Sequence, residues 1–497
     1  MTTRSRRTSA STTSTTSMPS ALTRVVVLGG DGIGPEVMAG ARSVLEAVNA
    51  PIDVIVAEID RTSGLPEPSV FDELDRGAVL LKAPMATPIG AGHKSPNVTL
   101  RKLLELYANV RPSRSIPGLP MPCGPVDILL VRENIEDLYA GVEHAQTADV
   151  FQCLKLISRS GSEAISRVAF NLADALDRRN VTCVTKANIM KLTDGAFLDA
   201  YRAEAARRGA DSDHVLVDAA ACYLVTDPSR FDVIVTSNLY GDILSDLAAG
   251  LTGGLGLAPS MNLGARCAMF EPVHGSAPDI AGLDRANPTA MILSAALMLR
   301  YLGDHAGADA IQAAIDEVYA EAKMRTLDVA AAGAHTVGCA AFAAKVAEHA
   351  ATLRAKSTAD VASPRVTALR SALVEMTPTP KPAPSRRGVG VDVFVEWEGE
   401  VDALAELLQD AAGQQALQLH MITNRGLCVW PAQTRARMVD HFRCRFLVDV
   451  EGDEEPTDRQ VLDLVERIGA SARWMHLERL QYHDGNPAFS AAYGARA

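Results

Sequence analysis

The most constraining feature of the sequence is an apolar run that leads directly to two carboxylates four residues apart. Residues 231–236 (FDVIVT) have the pattern of a strand buried in a sheet, and Gly241 follows after a short polar stretch. If a helix begins at Gly241, Asp242 and Asp246 share one of its faces and can bind a single hard cation. The alternative is a solvated helix N-terminus, where the helix dipole favours acidic residues. Because α/β proteins bind ligands at the carboxyl ends of their strands, the sequence favours a metal site.

The composition indicates a large globular protein. The chain has 497 residues, of which 47% are hydrophobic, and this is enough for two or three domains with their own cores. Its net charge of −12 argues against nucleic acid as the main partner, which would need clustered Lys and Arg. No apolar run approaches about 18 residues, so we expect no membrane span. The eight Cys form no CxxC pair and have no zinc-like spacing, which predicts reduced thiols in a reducing compartment.

Residues 1–20 differ in composition from the rest of the chain. They are rich in Ser, Thr and Arg and contain no acidic residue. Such a segment is typical of an organelle transit peptide, but it also fits a disordered bacterial extension or a cloning remnant. We therefore expect a mitochondrial protein if the source is eukaryotic and a cytoplasmic protein otherwise. No apolar h-region is present, so a secretory signal is not expected.

Strand and helix patterns alternate through the first 350 residues, which is typical of an α/β fold. The Gly-rich turn at residues 29–36 (GGDGIGPE) predicts the start of a helix that runs to about Val48. Its spacing does not fit the dinucleotide fingerprint, because Pro35 stands where the third Gly would be. Strands are predicted at residues 22–28, 52–59, 78–81, 127–131, 182–185, 215–217 and 233–236, and Ala-rich helices at 286–301 and 308–322.

The last part of the chain is predicted to be a separate domain. A Pro-rich stretch at residues 376–385 indicates a semi-rigid linker, which we place within residues 356–387. Residues 388–497 then predict a small α+β domain, with strands at 389–397, 417–423, 427–430, 442–450 and 474–480 and helices at 400–412 and 458–468. No catalytic group of residues is evident there, and we expect a role in assembly or regulation.

Three Arg in the first half of the chain predict an anion site. Arg101, Arg111 and Arg132 each follow or end an apolar run, which is unusual for surface residues. Guanidinium groups pair bidentately with carboxylates and keep their charge, so the three together predict a clamp for a polycarboxylate. The alternative for any one of them is a surface ion pair of small energetic value.

Three motifs in matching order resemble the β-decarboxylating dehydrogenases, which include the isocitrate, 3-isopropylmalate, homoisocitrate and tartrate dehydrogenases. They are residues 238–246 (NLYGDILSD), 253–256 (GGLG) and 271–279 (EPVHGSAPD). The resemblance covers about residues 25–350 and implies the non-Rossmann, isopropylmalate dehydrogenase-like fold. It implies a catalytic domain at 21–355, with a large subdomain at about 21–106 and 253–355 and a small subdomain with a dimer clasp at about 107–252. Residues 388–497 resemble the extra domain of a minority of isocitrate dehydrogenases.

The resemblance also implies a substrate. It places the three Arg on substrate carboxylates, and Ser95 and Asn97 match the hydroxyl and amide that isocitrate enzymes offer to a third carboxylate. Isopropylmalate enzymes present apolar residues there, and a polar pocket rejects an apolar analogue. We therefore expect isocitrate, with 3-isopropylmalate or homoisocitrate dehydrogenase as the alternatives among enzymes. A non-catalytic regulatory subunit of a hetero-oligomeric isocitrate dehydrogenase is the alternative of another class.

The catalytic residues that the resemblance implies are distributed over two subunits. Asp218 matches a third ligand of Mg²⁺ or Mn²⁺, supplied to Asp242 and Asp246 by the neighbouring chain. Tyr139 matches the acid that protonates the enol, and Lys186 matches a lysine that reaches across the dimer interface. Lys186 and Asp218 both remain candidates for accepting the hydroxyl proton. We expect a catalytic homodimer, or a tetramer, with shared active sites.

The cofactor contacts implied by the resemblance are Thr87 at the nicotinamide end, His274 and Gly275 at the adenosine side, and Asn287 at the adenine edge. Asp279 and Ile280 stand where NADP-using isocitrate dehydrogenases typically carry Lys and Tyr. An Asp can accept a hydrogen bond from the ribose hydroxyl and repels a 2′-phosphate, so the sequence predicts NAD as the cofactor.

Overall fold

The computed structural model describes residues 22–60, 65–86, 95–356, 382–432, 436–449, 452 and 454–491. The strands of the part before residue 357 are β1 (Thr23–Leu28), β2 (Ile52–Ala57), β3 (Val79–Lys82), β4 (Ala108–Arg114), β5 (Asp127–Glu133), β6 (Glu143–Ala145), β7 (Phe151–Cys153), β8 (Val181–Thr185), β9 (Asp213–Leu216), β10 (Val233–Thr236), β11 (Pro259–Leu263) and β12 (Ala268–Pro272). Its helices are α1 (Gly34–Ala47), α2 (Pro68–Asp75), α3 (Pro96–Leu103), α4 (Arg159–Ala175), α5 (Thr193–Arg208), α6 (Val217–Thr226), α7 (Asn238–Leu251), α8 (Thr289–Leu302), α9 (His305–Ala320) and α10 (Cys339–Lys356).

One continuous sheet of ten strands organises this part of the protein. Its strand order is β2-β1-β3-β12-β11-β4-β5-β10-β8-β9. Pairing is parallel at both ends and antiparallel from β12 through β11 and β4 to β5. One half of the sheet consists of the strands within residues 107–252, which are β4, β5, β10, β8 and β9. The other half consists of the strands before and after that range, which are β2, β1, β3, β12 and β11. The antiparallel centre brings the ends of β3, β4, β5 and β12 together, and this is where the candidate site lies.

Apolar periodicity explains why the helices cover this sheet. Helix α1 has Pro35 in its first turn and buries Val37, Ala41, Val44 and Leu45 at helical spacing. These side chains share one core with α8, α9 and α10. The strand β10 is buried along its whole length, as its unbroken apolar pattern predicted.

The C-terminal part is a separate α+β domain. It consists of β13 (Arg386–Glu396), α11 (Val401–Ala412), β14 (Gln418–Asn424), β15 (Leu427–Trp430), β16 (His441–Leu447), α12 (Asp458–Gly469), β17 (Arg473–His483) and β18 (Asn486–Pro487). The strand order is β15-β14-β16-β13-β17-β18, with antiparallel pairing. Val391, Val393 and Val395 alternate along β13 and pack in one core with both helices. A capping box of Thr457 and Gln460 fixes the start of α12.

The predicted fold class is confirmed, both for the α/β part and for the α+β domain. Three central strands, β4, β11 and β12, were not predicted from the sequence. Their polar residues, such as Asn109 and Asn262, are buried and interrupt the apolar pattern that marks a buried strand. The predicted extension 1–20 and residues 376–381 of the predicted linker lie outside the described residues, and the domain boundaries remain predictions.

Three further features complete the description of the fold. The strands β6 and β7 pair as an isolated two-stranded hairpin away from the main sheet. All eight cysteines are unpaired thiols. Within the described ranges, the helices are too short or too polar to cross a bilayer.

Candidate active site

Helix α7 carries the two predicted metal ligands. It begins at Asn238, directly after β10, so the expectation of a helix start at Gly241 was wrong. Gly241 lies inside the first turn, where a Cβ atom would come 2.5 Å from Cγ of Arg132. The residue is therefore glycine because an arginine side chain passes over the helix, and not because the chain turns there. Asp242 and Asp246 do share one helix face, and both lie near Nη1 of Arg111, at 3.4 and 3.2 Å.

Arg132, near the end of β5, is a fully buried cation of the site. Its Nε and Nη2 donate to Oδ1 of Asn238 at 3.0 and 2.7 Å, and its Nη1 donates to Asp242. The Tyr139 hydroxyl donates to the other oxygen of Asp242, and its ring faces the Arg132 guanidinium at 5.0 Å. Burial would raise the pKa of Asp242, but the charges of Arg132 and Arg111 lower it below its ordinary value. Burial and the bond to Asp242 raise the pKa of Tyr139, so its hydroxyl keeps its proton.

Arg111, in β4, is held by residues of its own strand and of α7. Its Nε donates to Asn109 Oδ1 at 2.8 Å, and its Nη1 donates to Ser245 Oγ at 2.6 Å and to Asp246 at 3.2 Å. Burial raises the pKa of Asp246, and the charge of Arg111 opposes that rise. Asp246 is a half-exposed carboxylate that shares its one cation, Arg111, with Asp242, so it is only partly compensated and suits a further cation.

Arg101 is held by a buried acid that sequence reasoning missed. Glu271, in β12, accepts from Arg101 Nη2 at 2.7 Å with one oxygen and pairs with Lys82 Nζ at 2.7 Å with the other. Lys82 also donates to Asn97 Oδ1 at 2.9 Å. Burial alone would raise the pKa of Glu271, but the charges of Lys82 and Arg101 hold it far below the ordinary range. Glu271 opens the third sequence motif, and that position was the only signal for it.

The structure thus brings Arg101, Arg111, Arg132, Tyr139, Asp242 and Asp246 into one network. Asn97 joins it through Lys82, and Ser95 lies half-buried immediately before α3. Asn262 links the two halves, because its Nδ2 donates to Glu271 at 2.8 Å and its Oδ1 accepts from Asn109 at 2.8 Å.

Lys186 and Asp218 are not part of that network in one chain. Lys186 follows β8, Asp218 lies in the first turn of α6, and their side chains pair at 2.7 Å. The hydrogen bond from Lys186 lowers the pKa of Asp218, whose side chain is 66% exposed. Among the described residues, no three His, Cys, Asp or Glu are arranged to hold a metal ion. The predicted triad is therefore incomplete within a single chain, and the contribution of Asp218 from a neighbour stays a prediction.

The Gly-rich turn before α1 packs against the predicted adenosine-side loop. Gly32 has a φ of +59°, and a Cβ there would lie 2.0 Å from the carbonyl oxygen of Ser276. The Ile33 amide donates to that same oxygen at 2.9 Å, and Asp31 accepts from the Ala86 amide at 2.9 Å. The turn, the end of β3 and the loop after β12 therefore meet and form one wall of a cleft.

The predicted cofactor residues differ in their surroundings. His274 Nδ1 lies 3.0 Å from Gly275 O, whereas its Nε2 is buried without a partner in the described part of the chain. Burial lowers the pKa of His274, so the ring is neutral; because the Gly275 carbonyl only accepts, Nδ1 carries the hydrogen and Nε2 can accept a hydrogen bond from a ligand. The Asn287 side chain is buried and donates to Asp328 and Tyr319. Its side-chain amide is therefore occupied, and only its backbone remains for a hydrogen bond to an adenine base. Thr87 lies outside the described residues.

Comparisons with known proteins agree with the motifs. Residues 24–346 match the family described as isocitrate/isopropylmalate dehydrogenase, and residues 386–495 match the bacterial isocitrate dehydrogenase C-terminal domain. An isocitrate dehydrogenase (NADP) from Thermus thermophilus is 45% identical over 485 residues, which is 95% of each chain. A crystal structure of a Thermus thermophilus protein superimposes with a TM-score of 0.87 at 45% identity and covers 95% of this chain and 96% of its own. The resemblance drawn from the sequence, including the extra domain, is confirmed.

The prediction of NAD as the cofactor is contradicted by the full-length relatives. Three Rickettsia proteins, 36–37% identical over 95% of this chain, are also named as NADP enzymes. The alpha subunit of bovine mitochondrial isocitrate dehydrogenase (NAD) is 48% identical, but over only 57% of this chain. The structure supplies a physical reason for the error. Asp279 and the nearby Arg285 are both exposed, so the Asp279 carboxylate can turn to solvent and a cation is available in the same loop.

Proposed function

The chain belongs to the isocitrate/isopropylmalate dehydrogenase family, and we propose that it catalyses the oxidative decarboxylation of isocitrate to 2-oxoglutarate and CO₂ with NADP as the hydride acceptor. The observation that carries the proposal is the convergence of Arg101, Arg111 and Arg132 on the helix face of Asp242 and Asp246. NADP is supported by the names of the relatives that match the whole chain.

The charges of the site suit a tricarboxylate bound together with a divalent cation. Lys82 and Glu271 neutralise each other, and three Arg outnumber the two Asp by one charge. A tricarboxylate with Mg²⁺ or Mn²⁺ carries one net negative charge, so its arrival leaves the buried site neutral. A buried charge without compensation is costly, and this match therefore favours the pair over either ligand alone.

The polar side of the pocket distinguishes isocitrate from its apolar analogues. Asn97 is oriented by Lys82 Nζ at 2.9 Å and by the Met85 carbonyl at 3.1 Å, and Ser95 precedes it in the chain. An alkyl group at this position could make no hydrogen bond to the Asn97 amide or to the Ser95 hydroxyl, and packing it against polar groups is unfavourable. A third carboxylate would instead extend the network.

Asp242 and Asp246 fit a metal of the Mg²⁺ type. Mg²⁺ is usually held by one or two carboxylates together with substrate oxygens and water, so two Asp from one chain suffice to start the site. When bound, the ion polarises the substrate hydroxyl and the carbonyl that develops from it. We propose that Asp218 of a second copy completes the ligand set.

The protein residues then hold the substrate and move its protons. The three Arg would orient the carboxylates, and Lys186 or Asp218 would accept the hydroxyl proton; a bound nicotinamide would supply the acceptor for the hydride of C2. Loss of CO₂ leaves the electron pair on C3 in the form of an enol, and Tyr139 is placed to return a proton there. Its raised pKa means that it reaches this step protonated.

We also propose a homodimer with shared sites. Large apolar side chains that follow Lys186, Asp218 and Asp242 in the chain are solvent-exposed: Ile189 (56%), Leu192 (50%), Val225 (44%) and Ile243 (58%). An exposed apolar patch of this kind is typical of a protein interface. In an isologous dimer, the same patch of the two copies is in contact. A second copy on this patch would therefore bring its own Lys186 and Asp218 towards Asp242 of the first.

Steady-state kinetics test the proposal. With Mg²⁺ and NADP, we expect kcat/KM for isocitrate to exceed that for 3-isopropylmalate by at least about 1,000-fold, because its alkyl group lacks the third carboxylate that the polar pocket would bind. For homoisocitrate, which has the same polar groups and one extra methylene, we expect a smaller ratio of about 10-fold or more. The same assay with NAD should give a lower kcat/KM than with NADP. Comparable turnover of 3-isopropylmalate would refute the substrate, and a preference for NAD would refute the cofactor.

A further inference from the structure

The hairpin formed by β6 and β7 needs support from outside itself. Its strands have three residues each, and an isolated hairpin of this size is marginally stable in water. Most of it is exposed, with Phe151 at 76%. The two residues at its tip, Gln146 and Thr147, are nevertheless buried, at 6% and 9% exposure. The chain segment that contacts them belongs to the C-terminal domain.

Two side-chain contacts join the tip to that domain. The Thr147 hydroxyl donates to Asp440 Oδ1 at 2.6 Å and accepts from the Val150 amide at 3.0 Å, so one hydroxyl links the turn to the domain. His476 Nδ1 lies 3.1 Å from Gln146 Oε1. Because a carbonyl oxygen only accepts, the neutral His476 ring carries its hydrogen on Nδ1 and leaves Nε2 as an acceptor.

The residues beneath the tip form an aromatic cluster, which we call the histidine face: Phe394, His441 and His476. They lie on β13, β16 and β17, and the Phe394 ring stacks on His476 at 3.9 Å and on His441 at 5.4 Å. The two imidazoles are 6.3 Å apart. In the described residues, Nε2 of both rings is buried and has no hydrogen-bond partner. A second proton on either ring would place an N–H without an acceptor beside another imidazole.

We propose that the histidine face is a docking surface for the tip of the β6–β7 hairpin, and that acidification releases the tip. Through this contact the C-terminal domain stabilises the tip of the hairpin. The inference does not depend on the reaction that the chain catalyses.

The charges around the histidine face set the direction of the pH dependence. Burial lowers the pKa of His441, with His476 acting in the same direction and Asp440 opposing it. Burial also lowers the pKa of His476, as does the neighbouring His144 of the hairpin. Glu396 and Arg473 pair with each other at 3.3 Å at the ends of the same strands. Docking therefore favours the neutral form of both rings. It is complete above the ordinary pKa of His, about 6.5, and weakens as the pH falls below that value and the rings become protonated.

Hydrogen exchange of the full-length protein measures docking. We expect the backbone amides of residues 143–153 to lose at least about tenfold in protection between about pH 8 and about pH 5.5, after correction for intrinsic rates. Helix α4 should keep its protection and serves as the internal reference. The substitutions His476→Asn and His441→Phe together should remove this pH dependence, because Asn keeps a donor near the position of Nδ1 and Phe keeps the stack. His420→Asn, at an exposed position of the same domain, should behave like the unaltered protein.

Asp440→Ala provides a second test that leaves the hairpin and both imidazoles intact. It removes the acceptor of the Thr147 hydroxyl, so the hairpin should lose protection already at about pH 8 while β13 keeps its own. Hairpin protection that is equal at both pH values in the unaltered protein would overturn the pH release. Unchanged hairpin protection in Asp440→Ala would overturn the docking itself.

Discussion

Single charged residues in the site are buried only where another side chain compensates them. Glu271 uses one oxygen for Lys82 and the other for Arg101, at 2.7 Å each. Removal of Lys82 would leave one oxygen of a buried carboxylate unpaired, and removal of Arg101 would leave the other with only the neutral Asn262 amide; either loss costs more than an ordinary hydrogen bond contributes. The orientation of Arg101 towards the substrate therefore depends on a residue 170 positions away in the sequence.

Glu133 should give the protein a measurable pH dependence of stability. It is buried, accepts from the Ile135 amide at 2.7 Å, and burial raises its pKa to about 7. A raised pKa means that the folded state favours the protonated form, so the stabilisation is complete below the ordinary pKa of Glu and is lost as the pH rises through about 7. The group should thus lower the free energy of unfolding by up to about 3 kcal/mol between about pH 5 and about pH 8.

Urea unfolding of the unaltered protein and of Glu133→Gln at both pH values measures this contribution. Gln keeps an oxygen for the Ile135 amide but does not ionise, so the variant should lose less stability on going to high pH. The two proteins share all other titrating groups, so the contributions of those groups to the pH dependence of stability cancel in the comparison. Equal pH dependence in the two proteins would contradict the assignment.

Asp242 should be essential for activation by metal. Replacing it with Asn removes a negative ligand but keeps one oxygen as an acceptor for Arg132, and the Tyr139 hydroxyl can turn to accept from the new amide, so the fold should survive. We expect kcat to fall at least about 100-fold and the affinity for Mn²⁺ to weaken, as is usual when a metal site is disturbed. Activity assays and calorimetric titration with Mn²⁺ test both effects. Full activity in excess chelator, in either protein, would rule out the metal.

At the scale of elements, α7 is shaped by the arginine that crosses it. In Gly241→Ala, the new Cβ would lie 2.5 Å from Cγ of Arg132, whose guanidinium is already fixed by Asn238 and Asp242. Ala favours helix over Gly by about 1 kcal/mol, so stability should change little while the arginine is displaced. We expect kcat/KM for isocitrate to fall more than about tenfold, because even a small misplacement of a binding group slows the reaction by that much or more.

Gly250→Ala is the matched control in the same helix. Nothing lies within 4 Å of a Cβ at this position. We expect a gain of up to about 1 kcal/mol in the free energy of unfolding, with kinetics unchanged. If the two variants had equal kinetics, Arg132 would not need the space that Gly241 provides.

The same elements show how far the sequence alone can be used. The strands β1 and β10 were predicted because every side chain in their centres is apolar, and α7 because its carboxylates repeat at helical spacing. The strands β4 and β12 were missed because they bury Arg111 and Glu271, which no apolar pattern can reveal. The partners of Glu271 come from β3 and α3, and such long-range pairing is visible only after the chain has folded.

For the whole molecule, we expect catalysis to survive loss of the C-terminal domain but assembly to suffer. Every candidate site residue precedes Pro378, so a chain ending there keeps the network around Asp242 and Asp246. It lacks the domain that covers Gln146 and Thr147 of the hairpin. At high protein concentration its kcat should be within about twofold of the full chain. On dilution, the activity of the shortened chain and its mass in analytical ultracentrifugation should fall together, because it forms a weaker dimer than the full chain. A folded dimer without turnover would show that the domain acts in the chemistry.

Sharing of active sites between two copies can be tested by mixing two inactive chains. Lys186→Met and Arg132→Ala should each be inactive, since one lacks the proton-handling lysine and the other a substrate clamp. In a mixed dimer, one site combines the intact Arg132 of the first chain with the intact Lys186 of the second, and the other site carries both defects. After subunit exchange, half of the dimers are mixed and one of their two sites is intact, so the mixture should recover about a quarter of normal activity. Mixing Lys186→Met with a chain that carries both substitutions is the control, and it should recover nothing. Exchange can be followed by mass spectrometry of differently labelled chains. No recovery after complete exchange would show that Lys186 serves the site of its own chain, next to the Asp218 with which it pairs at 2.7 Å in the single chain.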